Sequence, residues 1–238
     1  MKVNKLNYSQ VLADLLENNQ IHISESNKKV KTSTLDILPC VTCPGSTPLC
    51  REYCYVRHNL NRTLGYKAYL TVNTNIVKND LQLFKTQMIA YLTNYNGRFF
   101  RLHSSGDYFS QEYVNIWNEI IALFPDIKFL AFTKSYHLDF SKIPSNLSLI
   151  YSVMPDTDNG TVPEGIKSYV VFPLNGKFSA KEYQYTESQV NEIKDNSVVC
   201  PGSCEDCRLC WHKQSVYFHL HGAVTNTWRR CGSLQYPF

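Results

Sequence analysis

The stretch "GRFFRLHSSGDYFSQEYVNIWNEIIALFPDIKFLAFTKS" (residues 97–135) decides the fold class. It begins with a short apolar run that ends in Ser, Gly and Asp, a pattern typical of a buried strand that opens into a loop. A helical pattern follows, in which Trp117, Ile120 and Phe124 share one face and Ser110 is placed to cap the first turn. A second apolar run, "DIKFLAFT", completes a strand–helix–strand unit.

The same alternation continues on both sides of this unit. Ahead of it, "KNDLQLFKTQMIAYLTNY" has the spacing of a helix with one apolar face, and "NLSLIYSVMPD", "IKSYVVFP" and "SVYFHLHG" follow as predicted strands. Strands separated by helices predict a parallel sheet whose carboxyl ends meet at one edge. The fold class is therefore α/β. A partial or complete (β/α) barrel is the first choice, and an open doubly wound sheet is the alternative.

Composition places the chain among globular proteins. Of 238 residues, 43% are apolar and 18% are charged, which suits a single domain over 1–238 with a sizeable core. Within it we distinguish an N-terminal cysteine loop (40–54), a βα core (80–175) and a C-terminal cysteine-rich segment (198–238). The net charge of +4 permits an anionic partner, nucleic acid included, without requiring one. With no signal-like or membrane-spanning apolar run, we expect a soluble cytoplasmic protein.

The nine cysteines fall into two groups, with Cys231 outside both. The first group lies in "CVTCPGSTPLCREYCY" and the second in "VVCPGSCEDCRLCWHK". Clustered thiols in a reducing cytosol more often bind metal than form disulfides. The predicted metal ligands are Cys40, Cys43, Cys50 and Cys54 in the first group, and Cys200, Cys204, Cys207 and Cys210 in the second.

The spacing of the cysteines favours iron–sulfur clusters over zinc in the second group. Its C-x3-C-x2-C-x2-C pattern has three short gaps, which resembles ferredoxin-type ligation more than the paired knuckles of structural zinc sites. The first group, C-x2-C-x6-C-x3-C, does not discriminate between the two metals. Eight thiols allow two four-thiolate centres. A single centre that draws ligands from both ends of the chain would close the barrel.

Polar residues follow the predicted strand of "RLHSSGDYF", at the edge where α/β proteins build their sites. Asp107 can bind a substrate ammonium or cap the next helix in competition with Ser110, and His103 can be an acid, a base, a ligand or a satisfied half-buried side chain. Ser104, Ser105 and Gly106 allow a tight turn that exposes backbone N–H groups.

Other predicted strand ends add weaker candidates to the same edge. Lys134 follows "FLAFT", and His221 follows the late strand. The catalytic candidates are therefore Asp107, His103, Lys134 and His221. Near the C-terminus, Arg229 and Arg230 beside Trp228 can grip phosphate and stack on a base, or form a solvated patch. The absence of GxxxxGK[ST], GxGxxG and GxSxG leaves kinase, dinucleotide-dependent oxidoreductase and serine-hydrolase functions without support.

Four motifs carry a resemblance to a known family. "CPGSTPLCREYCY", "RLHSSGDYF", "FLAFTKS" and "CPGSCEDCRLCW" resemble the phage gene product eighty-eight family over about residues 35–235. More distantly they are similar to radical-SAM-like iron–sulfur proteins. In those enzymes C-x3-C-x2-C binds a [4Fe–4S] cluster, and a Gly-Gly-Glu-type motif holds S-adenosylmethionine. "SSGD" is similar to that motif, so the resemblance implies that Ser104, Ser105, Gly106 and Asp107 bind the cofactor.

The cysteine spacing departs from the radical SAM pattern. Cys43, Cys50 and Cys54 are separated by six and three residues, whereas Cys200 and the two cysteines after it have the C-x3-C-x2-C spacing at the other end of the chain.

Two functions follow from these patterns. The first is an iron–sulfur enzyme on a radical-SAM-like barrel, with one or two clusters near the carboxyl edge and a small-molecule, nucleotide or nucleic-acid substrate. As a phage protein it would act in the host-cell cytoplasm. The alternative is a zinc-stabilised nucleic-acid-binding protein without catalysis.

Overall fold

The computed structural model describes residues 3–25, 32–171, 185–202 and 204–219. Eight strands form one sheet in the order β1-β2-β3-β4-β5-β6-β8-β7. β1 pairs antiparallel with β2, and all other pairs are parallel. The strands are β1 (Ile23–Ser24), β2 (Ser33–Leu35), β3 (Phe99–Leu102), β4 (Lys128–Thr133), β5 (Leu147–Val153), β6 (Lys167–Val171), β7 (Val198–Val199) and β8 (Val216–His219).

Helices connect most of these strands. None of the helices in the described ranges is long and apolar enough to cross a membrane. Short 3₁₀ turns occur at Asn159–Thr161 and Leu209–His212. The helices are α1 (Tyr8–Asn18), α2 (Pro48–Glu52), α3 (Tyr55–Asn59), α4 (Leu64–Asn79), α5 (Leu81–Thr93), α6 (Gln111–Ala122), α7 (Glu187–Asn196) and α8 (Cys204–Cys207).

The strand order confirms the α/β class and argues against the doubly wound alternative. β2 to β6 follow one another across the sheet in chain order, without the reversal at a central strand that marks a doubly wound sheet. Among the described residues the sheet does not close, because β1 and β7 are its edge strands. The arrangement is therefore an open, singly wound sheet.

The two faces of the sheet carry different partners, because successive strand residues point to opposite faces. On one face Phe100, Leu102 and Phe129 pack with Trp117 of α6 in the main core. The opposite face, which carries Phe99, Arg101, Leu130, Phe132 and Ile150, packs against the C-terminal cysteine segment. We call this opposite face the inner face.

The strongly patterned elements lie where the sequence predicts them. The helix with one apolar face is α5, which buries Phe84, Met88 and Leu92. The Ser110 cap is confirmed, because its side chain accepts a hydrogen bond from the Tyr113 N–H of α6 (3.2 Å). The sequence did not reveal the longer elements α1, α4 and α7, and it did not reveal β2. It also did not reveal the short elements β1, β7, α2, α3 and α8.

Candidate metal centres at the two ends of the sheet

The first cysteine group lies at the carboxyl edge of the sheet, as expected. A methyl group at Gly45 would lie 1.9 Å from the Lys134 carbonyl oxygen, so the loop rests directly on the end of β4. The Leu49 N–H donates to Asp156 Oδ2 after β5 (2.8 Å), and the Leu49 side chain packs with Val170 of β6. The cysteine loop therefore contacts the ends of three neighbouring strands.

The "SSGD" turn holds this loop from the β3 side. Gly106 has φ +85°, and a methyl group there would lie 2.2 Å from Ile37 Cγ1 and 2.7 Å from Thr42 Oγ1. Ser105 donates its hydroxyl to the Ile37 carbonyl (2.8 Å) and its N–H to Asp36 Oδ1 (3.2 Å). Only glycine fits at position 106, and the reason is the close approach of the segment that carries the first cysteines.

Asp107 joins this turn to β4. Its Oδ1 accepts the Tyr108 N–H (2.7 Å) and its Oδ2 accepts the Lys134 N–H (2.8 Å). Burial raises the pKa of Asp107 to about 6, and the Lys134 N–H and the Thr133 hydroxyl partly offset this rise. Asp107 does not cap α6, since Ser110 does so, and the carboxylate instead fixes the spacing between two strand ends.

Ser104 is the member of the turn with unused hydrogen-bonding capacity. Its carbonyl oxygen accepts the Tyr55 hydroxyl (2.5 Å), which ties the turn to the residue after Cys54. Its own hydroxyl is buried and has no hydrogen-bond partner among the described residues.

His103 lies in the core rather than in the site. Its Nε2 is 3.0 Å from the Tyr113 hydroxyl, its side chain is 3% exposed, and its φ is +57°. Burial, together with the positive charge of Arg101, lowers the pKa of His103 to about 3. A neutral, aromatic-packed ring fits the interpretation of His103 as a buried structural histidine better than a catalytic role.

The four thiols of the first group interact electrostatically with one another. Burial raises the pKa of Cys54 to about 11, and the charges of Cys40 and Cys50 add to this rise. Burial is also the main cause of the raised pKa of Cys43 and Cys40. A bound metal ion would reverse these shifts, because a coordinating thiol is deprotonated.

Cations surround the first group. Lys134 lies beside Cys50. Burial alone would lower the pKa of Lys134, but the charges of Cys50, Asp107 and Cys43 together raise it. On the other side, the charge of Arg57 opposes the rise in the pKa of Cys40. The loop therefore offers positive charge to a negatively charged thiolate centre.

The second cysteine group lies along the inner face of the sheet. Trp211 packs on Leu130, Ile150 and Phe99 of that face. The Ser148 hydroxyl, near the start of β5, donates to the Cys210 carbonyl (2.6 Å), whereas Cys200 follows the carboxyl end of β7. All four cysteines of the group line one small pocket, with Trp211 among its walls. The docking of Trp211 therefore places the last part of the group, at Cys210, toward the amino ends of the strands.

Two arginines on the inner face each have a buried nitrogen without a hydrogen-bond partner among the described residues. Arg208 stacks over Phe99 (4.2 Å) and Trp211 (5.2 Å), and Arg101 over Phe132 (5.1 Å). One nitrogen of each guanidinium, Arg208 Nη1 and Arg101 Nε, is buried without a hydrogen-bond partner among the described residues. Burial raises the pKa of Cys210 to about 12, and Cys204 and Cys200 add to this rise while Arg101 opposes it. Both arginines thus lie beside the second thiol group.

The thiol groups do not form a preformed site for one ion. In the part of the chain that the structure describes, no group of three or more His, Cys, Asp or Glu side chains could hold a metal ion as it stands. His221, Cys231, Trp228, Arg229 and Arg230 lie outside the described residues.

Asp36 is a site residue that sequence reasoning missed. It follows β2 and is 3% exposed. Its Oδ2 accepts from the hydroxyls of Thr34 (3.0 Å) and Tyr66 (2.9 Å). Burial raises the pKa of Asp36. The hydrogen bonds from Tyr66 and Thr34 and the charge of Arg101 partly offset this rise. A single acidic residue inside the apolar run "TLDIL" was the available signal.

The fold and the two thiol groups define a class: an α/β protein with an open, mostly parallel sheet that carries four clustered cysteines at its carboxyl edge and four more along its inner face. The chain belongs to the family described as "Gene product 88", whose model matches residues 12–213 and so includes both groups.

Two curated relatives are similar to the chain. The Gene 88 protein of Mycobacterium phage D29 is 27% identical over 198 residues, which cover 74% of this chain and 81% of the relative. The Gene 88 protein of Mycobacterium phage L5 is 28% identical over 130 residues, which cover 48% of this chain and 53% of the relative. No solved structure matches.

Proposed function

We propose that this protein is an iron–sulfur enzyme in which each cysteine group holds its own cluster, on an open sheet that corresponds to part of a radical-SAM-like barrel. The observation that carries this proposal is the clustering of four thiols at the carboxyl edge whose charges interact, with the cations of Lys134 and Arg57 beside them. The carboxyl edge of parallel strands is where α/β enzymes place their chemistry.

The charges beside the thiols support an anionic cluster in both places. Four thiolates around a [4Fe–4S] core carry net negative charge, and hydrogen bonds and cations near the sulfurs stabilise it and set its potential. Lys134 and Arg57 supply that charge in the first group. In the second, the unpartnered nitrogens of Arg208 and Arg101 are donors that a buried anionic centre would satisfy.

The spacing of the thiols bears on the choice between a cluster and a single ion. A tetrahedral zinc ion with Zn–S bonds of about 2.3 Å holds its sulfurs about 3.8 Å apart. A four-iron cluster is larger, so its cysteine ligands stand farther apart than those of one ion. Each cysteine sulfur can change its position by rotation about χ1.

The protein's own residues would position and insulate the first centre. Gly45 and Gly106 let the loop sit against the strand ends, Asp107 fixes those ends, and Lys134 places a positive charge beside Cys50. A cluster bound there would supply electron transfer or an open iron as a Lewis acid. S-adenosylmethionine is not part of the proposed function, because the polar groups of the turn already have partners within the protein. Ser105 donates its hydroxyl to the Ile37 carbonyl, and Asp107 accepts the N–H groups of Tyr108 and Lys134.

Metal and sulfide analysis of protein purified without oxygen tests the proposal. We expect iron and acid-labile sulfide in equal amounts, a brown colour and broad absorption in the visible range. Colourless protein with stoichiometric zinc and no sulfide would refute the proposal and leave the zinc-stabilised nucleic-acid-binding protein as the better account.

A further inference from the structure

A cavity of about 490 Å³ separates α7 from the sheet beside β6. None of the eight clustered cysteines lines it. A helix that follows a strand normally packs tightly on the sheet, because protein interiors have few voids larger than a water molecule. The cavity falls within the range of about 300–1,000 Å³ that is typical of ligand sites.

The strand and the helix present opposite charges to this cavity. Lys167 and Tyr169 are two residues apart on β6 and share one face of the strand. Glu192 and Asn196 are four residues apart on α7 and share one face of the helix. A cation and an aromatic ring therefore line one side, and a carboxylate and an amide line the other.

Several of these polar groups lack partners. Tyr185 lines the cavity at 7% exposure, and its hydroxyl has no hydrogen-bond partner among the described residues. Within the same part of the chain, neither the Lys167 ammonium nor the Glu192 carboxylate is within ion-pair distance of an opposite charge. An unpaired buried hydroxyl is destabilising, so a ligand that satisfies it gains affinity.

We propose that this cavity binds a nucleoside monophosphate. The Tyr169 ring offers a stacking surface for a base, and the Tyr185 hydroxyl and the Asn196 amide oxygen offer hydrogen bonds to its edge. The Asn196 amide nitrogen donates to the Glu192 carbonyl (2.9 Å). Lys167 supplies the positive charge for the phosphate, and Glu192 accepts hydrogen bonds from the ribose hydroxyls, a role that acidic residues have in other nucleotide sites. A nucleotide thus uses the aromatic, amide, cationic and anionic groups together.

Titration calorimetry of the full chain with AMP, GMP, CMP and UMP, and with the matching nucleosides, tests this site. We expect at least one nucleotide to bind at sub-millimolar concentration. Lys167→Gln should weaken nucleotide binding by about tenfold or more and leave nucleoside binding unchanged. Glu192→Gln should weaken the ribonucleotide more than its 2′-deoxy form.

Lys128→Gln is the matched control, because Lys128 is an exposed lysine on β4 outside the cavity. Absence of heat with every nucleotide at millimolar concentration, or an equal effect of Lys167→Gln and Lys128→Gln, would overturn the proposal.

The binding site stands apart from the iron–sulfur function. Iron and sulfide are measured on the same samples, and Lys167→Gln should leave both unchanged. Nucleotide binding by protein that contains no iron would overturn the iron–sulfur function alone, whereas iron-loaded protein that binds no nucleotide would overturn this site alone.

Discussion

The two cysteine groups have the same side chains but are attached to the sheet in different ways. The first is held by backbone contact and polar bonds to strand ends, at Gly45, Gly106 and Leu49. The second is held by the burial of Trp211 on the inner face. Cysteine ligands of the same kind are therefore positioned by close backbone contact in one group and by hydrophobic packing in the other. Because the two sets of contacts involve different residues, a substitution can weaken one without changing the other.

Removing the docking residue should give the largest effect. Trp211 is 5% exposed and packs on three strands, so Trp211→Ala should cost about 3–5 kcal/mol of unfolding free energy. Urea unfolding measures this loss. His212→Ala is the control, because the neighbouring His212 is exposed and should change stability by less than about 0.5 kcal/mol. Equal effects of the two variants would show that Trp211 does not anchor the second group.

Two glycines, one beside each cysteine group, allow a direct comparison of the backbone in the two regions. Gly106 and Gly202 have nearly the same φ, +85° and +89°, but a methyl group at Gly106 would collide with Ile37 whereas one at Gly202 meets nothing within 4 Å. Gly202→Ala should cost about 1–2 kcal/mol from φ alone. Gly106→Ala adds overpacking and should cost about 2–5 kcal/mol.

Urea unfolding of both variants, with the metal content of each, checks this pair. Only Gly106→Ala should disturb the first group. Identical losses would mean that the cysteine loop does not press on the turn.

Acid should weaken the fold through His103, next to the turn that holds the first loop. Its pKa is about 3 when folded and about 6.5 when unfolded, so the unfolded chain binds more protons between these values. The stabilisation from His103 is complete above pH 6.5 and falls by about 2 kcal/mol by pH 5, and Asp107 opposes part of this loss because its pKa is about 6 when folded and lower when unfolded.

Urea unfolding from pH 7.5 to 5 measures this slope. His103→Asn should flatten it, since Asn tolerates positive φ. The exposed His212→Asn is the control, and an unchanged slope in His103→Asn would contradict the buried neutral ring.

The smallest effect concerns the charges beside each centre. Lys134→Gln removes a cation beside Cys50, so the first cluster should become harder to reduce by about 40 mV, equivalent to about 1 kcal/mol. Arg208→Gln should lower the potential of the second cluster only. Redox titrations followed by electron paramagnetic resonance distinguish the two. A shift of both signals by either variant would mean that the two groups share one centre.

The sequence predicts the β3–α6–β4 unit well because its apolar spacing is regular and its cap is local. It does not reveal α4, whose buried face includes Thr71, Asn73 and Thr74. Asn73 bonds through its side chain to the backbone of His22 and Asp36, so tertiary contacts replace the apolar pattern there. A strand of three residues such as β2 is too short for periodicity to show.

The candidate site was predictable in its residue types but not in its arrangement. Clustered cysteines and polar strand ends are visible in the sequence, and Lys134 and Asp107 do lie beside the first group. The separation of the two groups depends on Trp211 packing against residues more than sixty positions away along the chain, such as Leu130 and Ile150. No local pattern encodes such long-range packing.

Iron counted in two group-specific variants tests the central claim that the centres are separate. Cys43→Ser with Cys50→Ser disables the first group, and Cys207→Ser with Cys210→Ser disables the second. Two clusters of the [4Fe–4S] type predict roughly eight iron atoms in the unmodified chain and roughly four in each variant. Complete loss of iron from both variants would instead show one centre shared between the two ends of the chain, and would contradict the arrangement described here.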